Sequence, residues 1–207
     1  MARFHVATSE PTKQELIERW APSQPWGPDP GNSLSSLGSF HFDDPEGQVG
    51  METHLIDAGG LLLQIPLTYR GEPLDDRAAT LVGTLEHSVL GTRWVYDGLT
   101  DSHFLTVLAG VALTGQGQAL GMAHVEQRWF AAPAEVTISG GGWGREPVPI
   151  DRLERTAGDD LTPTFSNDRF AMVVHRRPLP APAPPIGLVA RTEAMVDPVV
   201  VVTVDRI

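Results

Sequence analysis

The run METHLIDAGGLLLQIPLTYR, residues 51–70, constrains the fold more than any other part of the chain. Leu61, Leu63, Ile65 and Leu67 recur at every second position, so they share one face of an extended strand. Residues 49–57 predict a strand before it. Ala58-Gly59-Gly60 supplies the turn between the two, which makes a hairpin. Pro66 lies inside the second strand and has no N–H to give to a ladder, which predicts an edge or a bulge there.

The flanking segments extend this β-rich pattern. Phe40 and Phe42 alternate with polar residues, and DPEG at 44–47 reads as a turn. Residues 80–90 and 92–97 predict two more strands that bend at Gly91. Residues 3–8 alternate enough for a first strand. A short helix is expected over 12–20, capped by Ser9 or Thr12, with Leu16, Ile17 and Trp20 as its apolar stripe. Pro22 and Pro25 end it, and Trp20 and Trp26 anchor the Pro/Gly-rich loop that follows. Asp101 or Ser102 caps a second helix over 102–114, apolar around most of its circumference and therefore buried.

Past residue 115 the pattern weakens. Residues 118–130, 134–139, 171–175 and 198–206 predict strands, GGGWG at 140–144 a flexible turn, and 178–187 a Pro-rich extended connector. Residues 145–168 are polar and carry no clear period. The expectation is an α+β fold: a β-rich, mostly antiparallel sheet with one or two helices packed on it. Two subdomains are expected, 1–115 and 116–207, the second either standing apart or completing the same domain.

Composition narrows the function classes. The formal net charge of −11 argues against nucleic-acid binding, which needs clustered Lys and Arg. The chain has no Cys, which removes disulfides, thiolate nucleophiles and Cys-based metal sites. No apolar run is long enough to span a membrane, and MARFHVATSE lacks the apolar core of a signal peptide. A cytoplasmic protein is the expectation.

Candidate chemistry concentrates between residues 52 and 98. Glu52 and His54 share a strand face, and a metal site from His54, His87 and a Glu is conceivable. No ligand spacing such as HExxH supports it, so a hydrogen-bond network is favoured. Arg70 and Arg93 have Glu86 and Asp97 as nearby acids. Their forks suit structural ion pairs first and a sugar phosphate second. Trp94 and Tyr96 alternate on one face, which permits a carbohydrate platform, although core packing is the favoured reading. Ser88 beside His87 is no catalytic pair, since neighbouring side chains on a strand point apart.

The blocks QIPLTYRGEPL (64–74) and LVGTLEHSVLGTRWVYDG (81–98) resemble the N-terminal cap of actinobacterial maltokinases. The similarity covers residues 1–115 and fades away from the centre. It implies the fold of that cap, with residues 116–207 as an analogue of the intermediate subdomain that follows it. The cap of these kinases packs over the nucleotide-binding lobe, so the resemblance implies a regulatory or interaction element. It also implies a partner in trans, a sugar kinase or another protein of α-glucan and trehalose metabolism. The chain departs from the kinases in having no HGD catalytic loop, no GxxxxGK[ST] loop, and only one lysine, Lys13.

The leading expectation is a non-catalytic, cofactor-free binding or regulatory module. The alternative is a sugar- or sugar-phosphate-binding protein, or an enzyme, with a site between the subdomains lined by His54, Arg70, Glu86 and His87. Self-association into a homo-oligomer is the third.

Overall fold

A computed structural model of the chain describes residues 2–4, 8–29, 31–125, 128–131, 133–142, 150 and 152–207. The elements of the first half are β1 (Ala2–Phe4), β2 (Ser9–Glu10), α1 (Lys13–Trp20), β3 (Ser35–Phe42), β4 (Gly50–Asp57), β5 (Leu62–Arg70), β6 (Leu81–His87), β7 (Gly91–Asp97) and α2 (Ser102–Thr114). The second half contributes β8 (Gly121–Val125), β9 (Arg128–Ala131), β10 (Val136–Gly140), β11 (Glu154–Ala157), β12 (Thr164–Ser166), β13 (Phe170–Val174), β14 (Gly187–Thr192) and β15 (Val199–Arg206). The fold is α+β and mostly β, as the alternation in the sequence predicts.

Two six-stranded sheets form the body. The first has the order β2-β6-β7-β5-β4-β3 and the second β10-β14-β15-β13-β12-β11, and every pairing in both is antiparallel. A small third sheet joins β1 in parallel to β8, which pairs with β9.

The first sheet is covered on both faces. Leu63, Ile65, Leu67, Leu85 and Val95 meet α1, whose Leu16, Ile17 and Trp20 face them. The opposite face, carrying Phe40, Phe42, Met51 and Leu55, belongs to a larger core with α2 and one face of the second sheet. Phe104 of α2 lies 6.5 Å from Phe42, and α2 also packs on β10, β14 and β15. Burying both faces explains why β4 and β5 are nearly continuous in burial while their apolar residues alternate.

Both helices start where the sequence places their caps. Thr12 and Glu15 form a capping box, with Thr12 Oγ1 accepting from Glu15 N at 3.2 Å and Glu15 Oε2 accepting from Thr12 N at 2.7 Å. Asp101 caps α2 by accepting from His103 N at 3.1 Å, and Gly115 ends the helix at φ 68°. Trp20 and Trp26 meet edge to face at 5.3 Å and are both buried, so the Pro/Gly-rich loop is tied to α1 as expected.

Several expectations change. β5 is an interior strand and its ladder with β4 has no bulge at Pro66. Pro66 is accommodated because β7 pairs with β5 only from Leu67 onward. Before that point the outward N–H of Gln64 bonds the Arg176 carbonyl at 2.8 Å, so Pro66 occupies the gap between two ladders. The start of GGGWG is no loose turn. A Cβ on Gly142 would lie 2.1 Å from the Ala112 carbonyl oxygen, so the glycines let this segment close on the end of α2. Trp143 and Gly144 lie outside the described residues, as do 145–149 and part of the expected first strand at 5–7. β11, β12 and β14 arise from stretches in which the sequence shows no strand period.

The 44–47 turn is anchored to α2. Asp44 accepts from the backbone N–H groups of Glu46, Gln48 and Val49 at 2.9, 2.7 and 2.8 Å, and lies 2.8 Å from His103 Nε2. Burial pushes its carboxyl up, but the hydrogen bonds from His103, Val49, Glu46 and Gln48 outweigh that and hold it at about 2. The folded value is below the unfolded one, so this stabilisation is present above about pH 4 and is lost as pH falls towards 2. Asp44→Asn is expected to cost about 1–2 kcal/mol in urea unfolding at pH 7. The gap to the wild type should narrow between pH 4 and pH 2; a gap that stays constant there would contradict this role.

Candidate functional site

The junction of the two sheets is built by the segment leaving β13. Arg176 N donates to the Leu161 carbonyl, and the Arg176 carbonyl in turn accepts from Gln64 of β5. Gln64 Nε2 also reaches the Val201 carbonyl of β15 at 3.3 Å. The Arg176 side chain turns into the junction and is 3% exposed. Its Nη2 pairs with Asp97 Oδ2 at the end of β7, and its guanidinium carbon lies 4.3 Å from the centroid of the Trp26 ring. Asp97 Oδ1 accepts from Leu99 N at 3.1 Å. Arg177 bonds the carbonyls of Trp26 and Gly27 at 3.2 and 2.9 Å. Three chain segments remote in sequence thus meet on one buried ion pair. Arg176 Nη1 is buried there with no hydrogen-bond partner among the described residues.

A cavity of about 490 Å³ opens beside this pair. It lies between the loop at 24–26, the ends of the first sheet at Thr80 and Asp97, the start of α2, and the 152–165 region of the second sheet.

A second polar cluster lies where α1 begins. Glu52 is 5% exposed and pairs with Lys13 Nζ; its other oxygen accepts from Ser39 Oγ at 2.7 Å. His54 and His41 stand 3.6 and 3.5 Å from its two oxygens. Lys13 also lies 5.0 Å from the Tyr69 ring centroid, and the Tyr69 hydroxyl is 3.3 Å from His54 Nε2. Burial pushes the Glu52 carboxyl up, yet His54, Lys13 and His41 outweigh it and hold the group well below the usual carboxylate range. Burial lowers both histidines, with Glu52 opposing the shift. At neutral pH they are uncharged, and Lys13 is the cation that balances Glu52. The arrangement fastens α1 to the sheet. The 2-residue spacing of Glu52 and His54 signals it, while its completion by Lys13 and His41 has no local signature.

The residues singled out from the sequence disperse. His54 and His87 lie on strands separated by β5 and β7, roughly 14 Å at the usual strand spacing, so they do not meet. His87 Nδ1 accepts from Val89 N and Leu90 N at 3.2 Å each and shapes the β6–β7 turn. Arg70 bonds neither Glu86 nor Asp97. Its Nε and Nη2 donate to the two oxygens of Asp101 at 2.9 and 2.8 Å, with Thr68 Oγ1 adding a third bond at 2.8 Å. Glu86 accepts from Thr92 at 2.6 Å, and Arg93 Nη2 donates to the Leu90 carbonyl at 2.6 Å. Tyr96 is buried, its hydroxyl accepting from Leu74 N at 2.9 Å, and Trp94 beside it is half-buried. A flat aromatic platform is therefore not formed by this pair. Asp101, Arg176 and Lys13 are the partners in these contacts that the sequence does not single out.

The fold and the junction together define a two-sheet α+β module whose buried ionisable groups serve packing. Residues 20–101, less than half of the chain, match the maltokinase N-terminal cap domain, and no kinase domain family matches within the sequence. The matched segment runs from the last residue of α1 through β3 to β7 and ends at Asp101, the cap of α2, so the similarity falls on the first sheet. No curated protein matches the chain.

Arg176→Met or Asp97→Leu alone is expected to destabilise the protein by about 3–5 kcal/mol, because each leaves a buried charge unpaired. The double replacement should cost clearly less than the two together. Chemical denaturation of the three variants measures this, and simple additivity would show that the pair is not coupled.

Proposed function

We propose that the chain acts as a non-catalytic interaction module that docks on a sugar-kinase domain in trans, in the cytoplasm, within α-glucan or trehalose metabolism. The support comes first from the family match, whose name describes a cap on a maltokinase. The observation that carries the reading is that the ionisable residues of the first sheet are spent on structure: Arg70 on Asp101, Asp97 on Arg176, and Glu52 on Lys13.

The outer edge of β6 is the docking surface. Among the described residues only Ser9 and Glu10 pair with it, opposite His87 and Glu86, which leaves the stretch from Leu81 to Thr84 unpaired on that side. Leu81, Val89 and Leu90 are 49%, 55% and 54% exposed along this edge and its turn. An unpaired strand flanked by apolar side chains is suited to strand addition.

Biolayer interferometry against a purified maltokinase kinase domain tests the proposal. Binding in the micromolar range is expected, weakened about tenfold or more by Leu81→Asp with Leu90→Asp. No binding up to about 100 µM would overturn it. A dimer in light scattering that the same double variant dissociates would overturn it too, assigning the edge to a second copy of this chain.

A further inference from the structure

We propose that β2 is a built-in stand-in for the partner strand: it covers part of the β6 edge in the free protein and is displaced when a partner strand of about seven residues pairs along the whole edge. The inference deepens the docking proposal above and rests on it.

The placement of the exposed apolar side chains carries it. Leu81 stands at one end of β6, and Val89 and Leu90 lie in the turn past the other end. Between them β2 pairs Ser9 with His87 and Glu10 with Glu86. Thr8 extends this contact, its N–H donating to Ser88 Oγ at 3.0 Å and its carbonyl accepting from Ser88 N at 2.9 Å. At the usual rise per residue β6 is about 20 Å long. A partner strand that reaches from Leu81 to Leu90 therefore has to cross the stretch that β2 holds. One that stops short of β2 leaves Val89 and Leu90 in water.

The hold of β2 on the edge is weak. It is two residues long, Ser9 half-buried and Glu10 exposed, so it buries no large apolar side chain. Glu10 stands directly opposite Glu86, and like charges in that relation oppose pairing. Glu86 accepts from Thr92 on its other side, and among the described residues neither acid has a cation partner. A partner strand without an acid at that position removes the repulsion and adds apolar contacts that β2 lacks.

The helix that follows does not depend on β2. Its capping box closes between Thr12 and Glu15, and Lys13 pairs with Glu52, so β2 can lift away while α1 keeps its place. On the other side β1 holds the chain to β8. Tethered at both ends, the displaced segment returns from a high effective concentration. A short and weakly paired strand thus covers the edge in the free protein, which guards against unwanted edge-to-edge pairing, and still yields to a longer one.

Two measurements test this. Backbone amide hydrogen exchange of the full chain, followed by NMR, reads the detachment of β2 directly. The Ser88 amide, bonded to Thr8, is expected to exchange at least about 100-fold faster than the Gln64 amide, bonded to Arg176 at the sheet junction. Biolayer interferometry against the maltokinase kinase domain then compares two variants that leave Leu81, Val89 and Leu90 intact. Ser88→Ala removes the acceptor of the Thr8 N–H and is expected to tighten docking about two- to fivefold. Glu10→Thr removes the like-charge pair, slows exchange at Ser88 and is expected to weaken docking by a similar factor. Docking that both variants leave unchanged, or shift in the same direction, overturns the role of β2 while the docking proposal stands. A Ser88 amide that exchanges as slowly as that of Gln64 overturns it as well. Absence of binding by the wild type and both variants overturns the docking proposal and this inference together.

Discussion

The ion pair between Asp97 and Arg176 is the contact on which the arrangement of the two sheets depends. It is formed by the last residue of β7 and a residue just past β13, 79 positions apart in sequence, and it is covered by Trp26. A buried pair of this kind adds little net stability over an apolar substitute, but it penalises any arrangement that leaves one charge alone. Its physical effect is therefore selective. Of the ways a second sheet could cover the large apolar face of the first, this pair favours the one that brings the exit of β13 alongside β5. The backbone bond from Gln64 to the Arg176 carbonyl then completes the stretch of β5 that β7 does not reach.

The same economy recurs through the first sheet. Asp101 serves at once as the cap of α2 and as acceptor for Arg70 and Thr68. Glu52 joins β3, β4 and α1 through Ser39, His54 and Lys13. Each of these acids is almost wholly buried and satisfied by several donors, which is the condition under which a charged group is tolerable in a protein interior. Groups bound in this way are poor candidates for proton transfer or ligand exchange. Open volume lies instead at the sheet junction, where the cavity is lined jointly by the matched segment and the residues that follow it.

Local chemistry was legible where a residue's role depends on its near neighbours in the chain. Thr12 and Glu15 announce a helix start because a capping box needs only a three-residue spacing, and α1 begins there. The alternation of β5 and the glycines at its turn announce the hairpin for the same reason. β14 was not legible because GLVART lies against a Pro-rich run and shows its alternating burial only once β10 and β15 flank it. The sequence marks Arg70 as an ion-pair former, but its partner is Asp101 rather than Glu86 or Asp97. Glu86 on β6 and Asp97 on β7 are nearer in sequence, whereas Asp101 is brought under it by the 3-10 turn at Gly98–Thr100.

The sequence by itself determined β4 to β7 of the first sheet, the places where both helices start, the α+β class and the similarity of the segment to a maltokinase cap. These follow from periodicities and short spacings that hold in any environment. Only the tertiary structure decided which acid meets which base, that Pro66 falls in a gap between two ladders, and that a cavity remains where the sheets join. Those outcomes depend on contacts between segments tens of residues apart, whose energies are comparable among several pairings until the packing of the whole core selects one.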